Sequence, residues 1–335
     1  MNRSIHTTHP GPLLRALLAL LAAAAAALAT VPTVASAALL DEQGDLSAVV
    51  ATFEDELPVS GSEGYDVPTA SEAQKIADAY GKIRRGELTQ AATVAQPLKY
   101  DVVRFHDTVV DRDYVLLRER QNGDDSWPHG WGLYVHAPDA VLWDAVVEAP
   151  HPIWDGGTFD VAVRLLRGAR AADLLLAGAH RNANAATLPS GDRVADVAHA
   201  PGSVFHAVHQ VIADAKVAVV QLHGFAEDRP ATCKEVVVSA GVSTPNDVVT
   251  LAAQRLTAHG LSVFTFVGNG GCGAPLAGTE NVQGDATRAA GGRFVHAELR
   301  KHVRDSASSR QAVATGLAEA LDALLPHYPF VFVWP

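Results

Sequence analysis

From about residue 145 onward, short apolar runs alternate with longer stretches of helical period. Ala145-Val146-Val147, ADLLLAGA, KVAVVQLHG, KEVVVSAG, LSVFTFVG and RFVHAEL are short, and most are apolar on both faces. Such runs read as buried strands. Between them FDVAVRLLRGA, Ser203–Asp214, PNDVVTLAAQRLTAHG and SSRQAVATGLAEALDALL keep helical spacing. Gly202-Ser203 opens one of these helices and Gly260 stops another. Thr158 is placed to cap the helix that begins FDVAVRLL. Strand and helix in alternation predict a mostly parallel sheet with helices on both faces.

Upstream the rhythm is different. YDVVRFHD, DYVLLRER, GWGLYVHA and AVLWDAVVEA are alternating runs, with QNGDDS as a turn signal. They predict antiparallel strands on one flank of the sheet, over residues 100–145. Residues 38–99 read as a helical and loop segment, with SEAQKIADAYGKIRRGEL as its clearest helix. The expected architecture is an α/β domain over 100–335, with a mixed sheet flanked by helices on both faces. No internal repeat appears.

Composition adds an address. Arg3 and Arg15 stand beside an apolar run, Leu17–Leu28, and Ala35-Ser36-Ala37 supplies a small-x-small cleavage site. Residues 1–37 therefore read as a signal peptide, against the competing reading of an uncleaved anchor. The protein is expected to be secreted or periplasmic. The formal charge is −11, and removing a leader with two Arg and no acidic residue takes it to −13. That argues against nucleic acid and anionic membrane surfaces as partners. Cys233 and Cys272 are the only cysteines. In an exported protein they can pair, but a pair of free thiols is equally compatible with the sequence.

The candidate chemistry gathers where strands hand over to helices, the usual ligand position in such sheets. The stretch VVEAPHPIWDGGT presents His151 and, four positions on, Asp155. His223 ends KVAVVQLHG. Two imidazoles and a carboxylate, with a fourth position left for water, have the composition of a catalytic zinc site. Glu298 shares a strand face with Phe294 and His296. It suits a general base beside activated water, with a salt bridge to Arg300 or Arg304 as the competing reading. Arg181 suits an oxyanion or a substrate carboxylate, with an ordinary surface Arg at a strand end as the competing reading, and His180 and Asn182 beside it are candidate substrate contacts. Asn184 is a weaker one. His206 and His209 share a helical face, which reads more simply as structural than as a second metal site. His199 and His296 have no assigned role, and Lys216 and Asp196 read as solvated. Gly270-Gly271-Cys272-Gly273 matches no phosphate loop, and no GxSxG nucleophile elbow is present.

HPIWDGGT, LLLAGAHRNAN, VVQLHGF and FVHAEL, in that order, resemble the zinc carboxypeptidase superfamily. They are most similar to its amidohydrolase branches, the phage-type poly-γ-glutamate hydrolases and the N-formylglutamate amidohydrolases. The resemblance spans residues 146–300 and implies an α/β, phosphorylase/hydrolase-like fold. It implies a Zn2+ cofactor held by His151, Asp155 and His223, with Arg181 contacting a carbonyl or carboxylate and Glu298 as the base. The first acid is Asp here where Glu is usual, and no Tyr lies between His223 and Glu298. The implied activity is hydrolysis of an amide bond in a γ-glutamyl polymer, a peptide or an N-acyl amino acid. The alternative is a secreted binding protein that keeps the fold without catalysis. Glu298 favours the enzyme, because a binder has no use for it.

Overall fold

The computed structural model describes residues 39–268, 272 and 274–328. The leader expected at 1–37, and all of the Gly-rich segment except Cys272, lie outside the described residues. In chain order the strands are β1 (Leu40–Gly44), β2 (Tyr100–Asp107), β3 (Arg112–Glu119), β4 (Leu133–His136) and β5 (Leu142–Ala149). They continue with β6 (Ala171–Leu176), β7 (Ala218–Phe225), β8 (Val236–Ser239), β9 (Val263–Thr265) and β10 (Arg293–Arg300). The helices are α1 (Leu46–Asp55), α2 (Ala70–Arg84), α3 (Leu88–Ala95), α4 (Thr158–Ala169) and α5 (Val204–Ile212). After these come α6 (Asp247–Ala258), α7 (Val282–Ala289), α8 (Lys301–Asp305) and α9 (Ala307–Leu324).

The strands form one mixed ten-stranded sheet in the order β1-β2-β3-β4-β6-β5-β7-β10-β8-β9. At its centre β6, β5, β7 and β10 run parallel. On one side β4, β3 and β2 are antiparallel in succession, as the alternating runs predict. AVLWDAVVEA departs from the expected antiparallel flank. As β5 it lies parallel between β6 and β7, in the middle of the sheet. Its position follows from Ala145–Val147, which are fully buried and so need cover on both faces. β8 runs antiparallel to β10. LDEQG, expected as loop or helix, is an edge strand parallel to β2.

Period two sends neighbouring side chains into separate cores. Val147 and Leu222 pack with Phe159, Leu256 and Leu317 on one face. Val146 and Val219 pack with Ile76, Tyr80 and Phe205 on the other. Each fully buried Val, Leu or Phe contributes about 1.5–3 kcal/mol. The segment before Tyr100 joins both cores, through Leu46 and Val50 on one face and Ile76 and Ala91 on the other.

Local signals set the helix ends. Thr69 and Glu72 make a reciprocal capping box at α2, with Thr69 N–H donating to Glu72 Oε2 at 2.8 Å. Ser203 Oγ accepts the His206 N–H at 3.1 Å and starts α5. Thr158 does not cap α4. Gly157, at φ 90°, takes the cap position and Thr158 falls in the first turn, where its Oγ1 is buried without a partner. A side chain at Gly157 would collide with the Arg304 carbonyl, so both the conformation and the space require glycine. Among the described residues no helix is long and apolar enough to cross a membrane.

Candidate metal centre

Because β5, β6, β7 and β10 are parallel, their carboxyl ends share one sheet edge. His151 follows β5, His180 and Arg181 follow β6, and His223 and Glu298 lie near the ends of β7 and β10. Glu298 sits directly across from His223 in the ladder. His151, Asp155, Arg181, His199, His223, His296 and Glu298 are among the residues lining a cavity of about 200 Å³.

Three candidate ligand atoms converge in this cavity. His151 Nδ1 lies 3.2 Å from Asp155 Oδ2 and 3.2 Å from His223 Nδ1, and His223 Nδ1 lies 3.7 Å from Asp155 Oδ2. All three residues are buried. A tetrahedral ion with bonds of about 2.0–2.1 Å to its ligands has edges of about 3.3 Å. The far nitrogens are already committed. His151 Nε2 faces Asp196 Oδ1 at 2.8 Å, and His223 Nε2 faces Gln221 Oε1 at 2.7 Å. A carboxylate or amide oxygen behind a ligating imidazole is the usual arrangement at a metal. The residues present therefore fit a divalent cation.

The electrostatics agree. Burial alone would depress His151, but the carboxylates of Asp196 and Asp155 outweigh it and raise its pKa to about 9. Without a cation, a proton on His151 offsets those charges; a divalent ion supplies the same compensation. Burial, then His296 and His151, hold His223 well below the ordinary imidazole range, so its lone pair is free. His296 is pushed down to about 3 by burial and His151. Burial, and next the charge on Asp155, push Glu298 up to about 8. Asp155 Oδ1, His296 Nδ1 and Glu298 Oε2 are buried without hydrogen-bond partners. Such atoms are costly unless a ligand meets them.

Glu298 makes no salt bridge with either neighbouring Arg. Arg304 donates to the carbonyls of Leu299, Gly156 and Phe225. Arg300 donates to those of Lys234, Glu227, Arg229 and Pro230. At Gly224 the guanidinium of Arg304 fills the space a Cβ would take.

Asp196 is not solvated, as its sequence context had suggested. It is 1% exposed and accepts from His151 at Oδ1 and from Arg181 at Oδ2, with His199 Nδ1 3.3 Å away. Burial opposes its ionisation, but His151 and Arg181 hold it well below the usual carboxylate range. Arg181 is thus tied to Asp196 on one side, and its side chain remains 28% exposed on the other. Its guanidinium lies 5.9 Å from the ring centre of Trp154, which is itself 55% exposed beside the site.

His180 and Asn182 stand back from the cavity. The Asn182 N–H donates to His180 Nδ1 at 3.0 Å, and the His180 ring meets Trp154 edge-on. Asn184 donates to the Tyr65 carbonyl. His206 and His209 are buried, and His209 Nδ1 is bonded to Glu148 at 2.7 Å. Among the described residues, the groups able to hold a metal are His151-Asp155-His223 and His223-His296-Glu298, which share His223. Sequence reasoning gave no role to Asp196, Gln221 or His296. Gln221 was within reach, because it interrupts an apolar strand two positions before His223 and shares its face. Cys233 and Cys272 form a disulfide.

No family model matches the chain, and no curated protein matches it. Solved structures are similar to it at a distance. A bacteriophage poly-γ-glutamate hydrolase is 17% identical, over 55% of this chain and 84% of that one, with a TM-score of 0.34. The succinylglutamate desuccinylase from Chromobacterium violaceum is 17% identical, over 60% of this chain and 66% of that one, with a TM-score of 0.33. With overlaps this loose, the functional reading stands on the site's own geometry.

Proposed function

We propose that this protein is a metal-dependent hydrolase of an amide bond. His151, Asp155 and His223 would hold the metal, and their two imidazoles and one carboxylate suit zinc with a fourth position open. The observation that carries the reading is the convergence of His151 Nδ1, His223 Nδ1 and Asp155 Oδ2, while both Nε2 atoms are bonded elsewhere. Zinc bound there would supply Lewis-acid polarisation of the scissile carbonyl and would make water more acidic.

The chain's own groups supply the rest. Glu298 Oε2 has no protein partner and faces the same cavity. Burial and the Asp155 charge raise its pKa, and a divalent cation beside it would offset that and keep it ionised; it would then take the proton from the attacking water and deliver it to the leaving amine as the C–N bond breaks. Arg181, anchored by Asp196, turns its remaining donors toward a substrate carboxylate or the developing oxyanion. The small cavity suits one acyl or amino-acid unit, and γ-glutamyl chains, peptides and N-acyl amino acids all present one. The disulfide and the leader-like N-terminus together support an exported, oxidising setting.

The test is a hydrolysis screen over these three amide classes with wild type and Glu298→Gln. Turnover by wild type, lost in a Glu298→Gln protein that keeps its metal, supports the assignment. Equal turnover by both removes Glu298 as base.

A further inference from the structure

His223 Nε2 faces the side-chain amide of Gln221, and the two ends of an amide have nearly the same shape. Which end faces the imidazole is decided by what surrounds Gln221. Asn281 caps α7: its Oδ1 accepts the Gly284 N–H at 2.8 Å, so its NH2 must turn toward Gln221. Gln283 donates its NH2 to the Val197 carbonyl at 3.0 Å, so its Oε1 lies toward Gln221, 3.3 Å from Nε2. Glu148 Oε2 accepts from Gln221 Nε2 at 2.9 Å, and Glu148 Oε1 is bonded to His209.

Two of these anchors end on main-chain groups whose donor or acceptor character cannot be exchanged. Turning the Gln221 amide over would set NH2 against the Asn281 NH2, and oxygen against Glu148 and Gln283. Gln221, Glu148, Asn281 and Gln283 are all at most 1% exposed, so water is not available to mend those contacts. Gln221 Oε1 must therefore accept from His223, and Nε2 must carry the hydrogen.

We infer that Gln221, locked by Glu148, Asn281 and Gln283, holds His223 in its Nε2–H tautomer and so presents the Nδ1 lone pair to His151 and Asp155. These are positioning residues, since they act on the proposed metal only through the His223 imidazole. The tautomer follows from the hydrogen bonds alone; its consequence for metal binding rests on the proposed function.

Long-range proton–nitrogen correlation spectra of metal-stripped, full-length protein with 15N-labelled histidine read the tautomer directly. The His223 signals are assigned by their loss in His223→Asn. A protonated Nε2 with a bare Nδ1 is expected; the Nδ1–H tautomer or a doubly protonated ring overturns the inference. Gln221→Met keeps the volume and removes the acceptor. It should populate the Nδ1–H form and weaken zinc binding by about 10–100-fold in chelator competition. An unchanged tautomer and unchanged affinity in folded Gln221→Met overturn the positioning role, and if that variant does not fold, the wild-type spectrum decides. A wild type that shows the expected tautomer but binds no zinc refutes the proposed function while leaving this inference standing.

Discussion

Replacing Asp196 by Asn tests whether the site's outer contacts were built for a metal. The side chains are nearly isosteric, so packing is kept, but the hydrogen-bond ledger cannot be. Asp196 accepts at both oxygens, from His151 Nε2 at 2.8 Å on one and from Arg181 on the other. Asn offers one oxygen and one NH2, so one of those donors must face another donor. With the oxygen toward His151, Arg181 is left opposed and swings free. With the NH2 toward His151, the imidazole loses its acceptor and its orientation. The first arrangement costs one charge-assisted hydrogen bond, about 1.5–3 kcal/mol of stability. Either way the negative charge behind His151 is gone, which at such positions weakens metal binding about 10–100-fold, or about 1.4–2.7 kcal/mol. Chelator competition for zinc, with chemical denaturation of the same samples, measures both terms. A folded Asp196→Asn protein whose zinc affinity stays within about twofold of wild type refutes the reasoning.

Three further outcomes follow from other parts of the molecule. Glu298→Gln should keep metal and fold while turnover drops by about 10²–10⁴, and a fully active variant would contradict the general-base role. Denatured, unreduced protein should show no free thiol; opening the Cys233–Cys272 link, which closes a loop of 39 residues, should cost on the order of 3–4 kcal/mol, and two free thiols in exported material would contradict it. Asp173 is fully buried and accepts from Tyr80 at 2.7 Å and His136 at 2.9 Å; burial raises its pKa, but Arg84 and His136 outweigh this and bring it below 3.8. A depressed carboxyl stabilises the fold above its unfolded pKa and loses that contribution as pH falls below it, so Asp173→Ala should cost about 3–5 kcal/mol near neutrality and less in acid. A pH-independent penalty in denaturation curves would contradict that origin.

Much of the site was legible because its residues break a pattern. His223 and Glu298 are polar residues near the ends of largely buried strands, and His151 follows such a strand at the edge where parallel strands end. Asp196 left no such trace. It lies between elements, where no period exists to violate, and its partners come from residues 45 positions away at His151 and 15 away at Arg181. Asn281 reads locally as a helix cap, which it is, but its second contact depends on folding. The sheet was legible as alternation, but not in its pairing. β5 gives a run that fits an edge or a centre equally well, and only the burial of both its faces settles which. β1 is polar and becomes a strand through its ladder to β2, a contact across some sixty residues from Leu40 to Val103.

The central claim is that His151, Asp155 and His223 form one metal site. Elemental analysis of protein purified without chelator, for wild type and His223→Asn side by side, tests it most directly. The account predicts about one zinc per wild-type chain, and loss of that metal from a His223→Asn variant that still folds. Wild-type protein with no bound divalent metal, or a folded His223→Asn protein that retains a full equivalent, would contradict it.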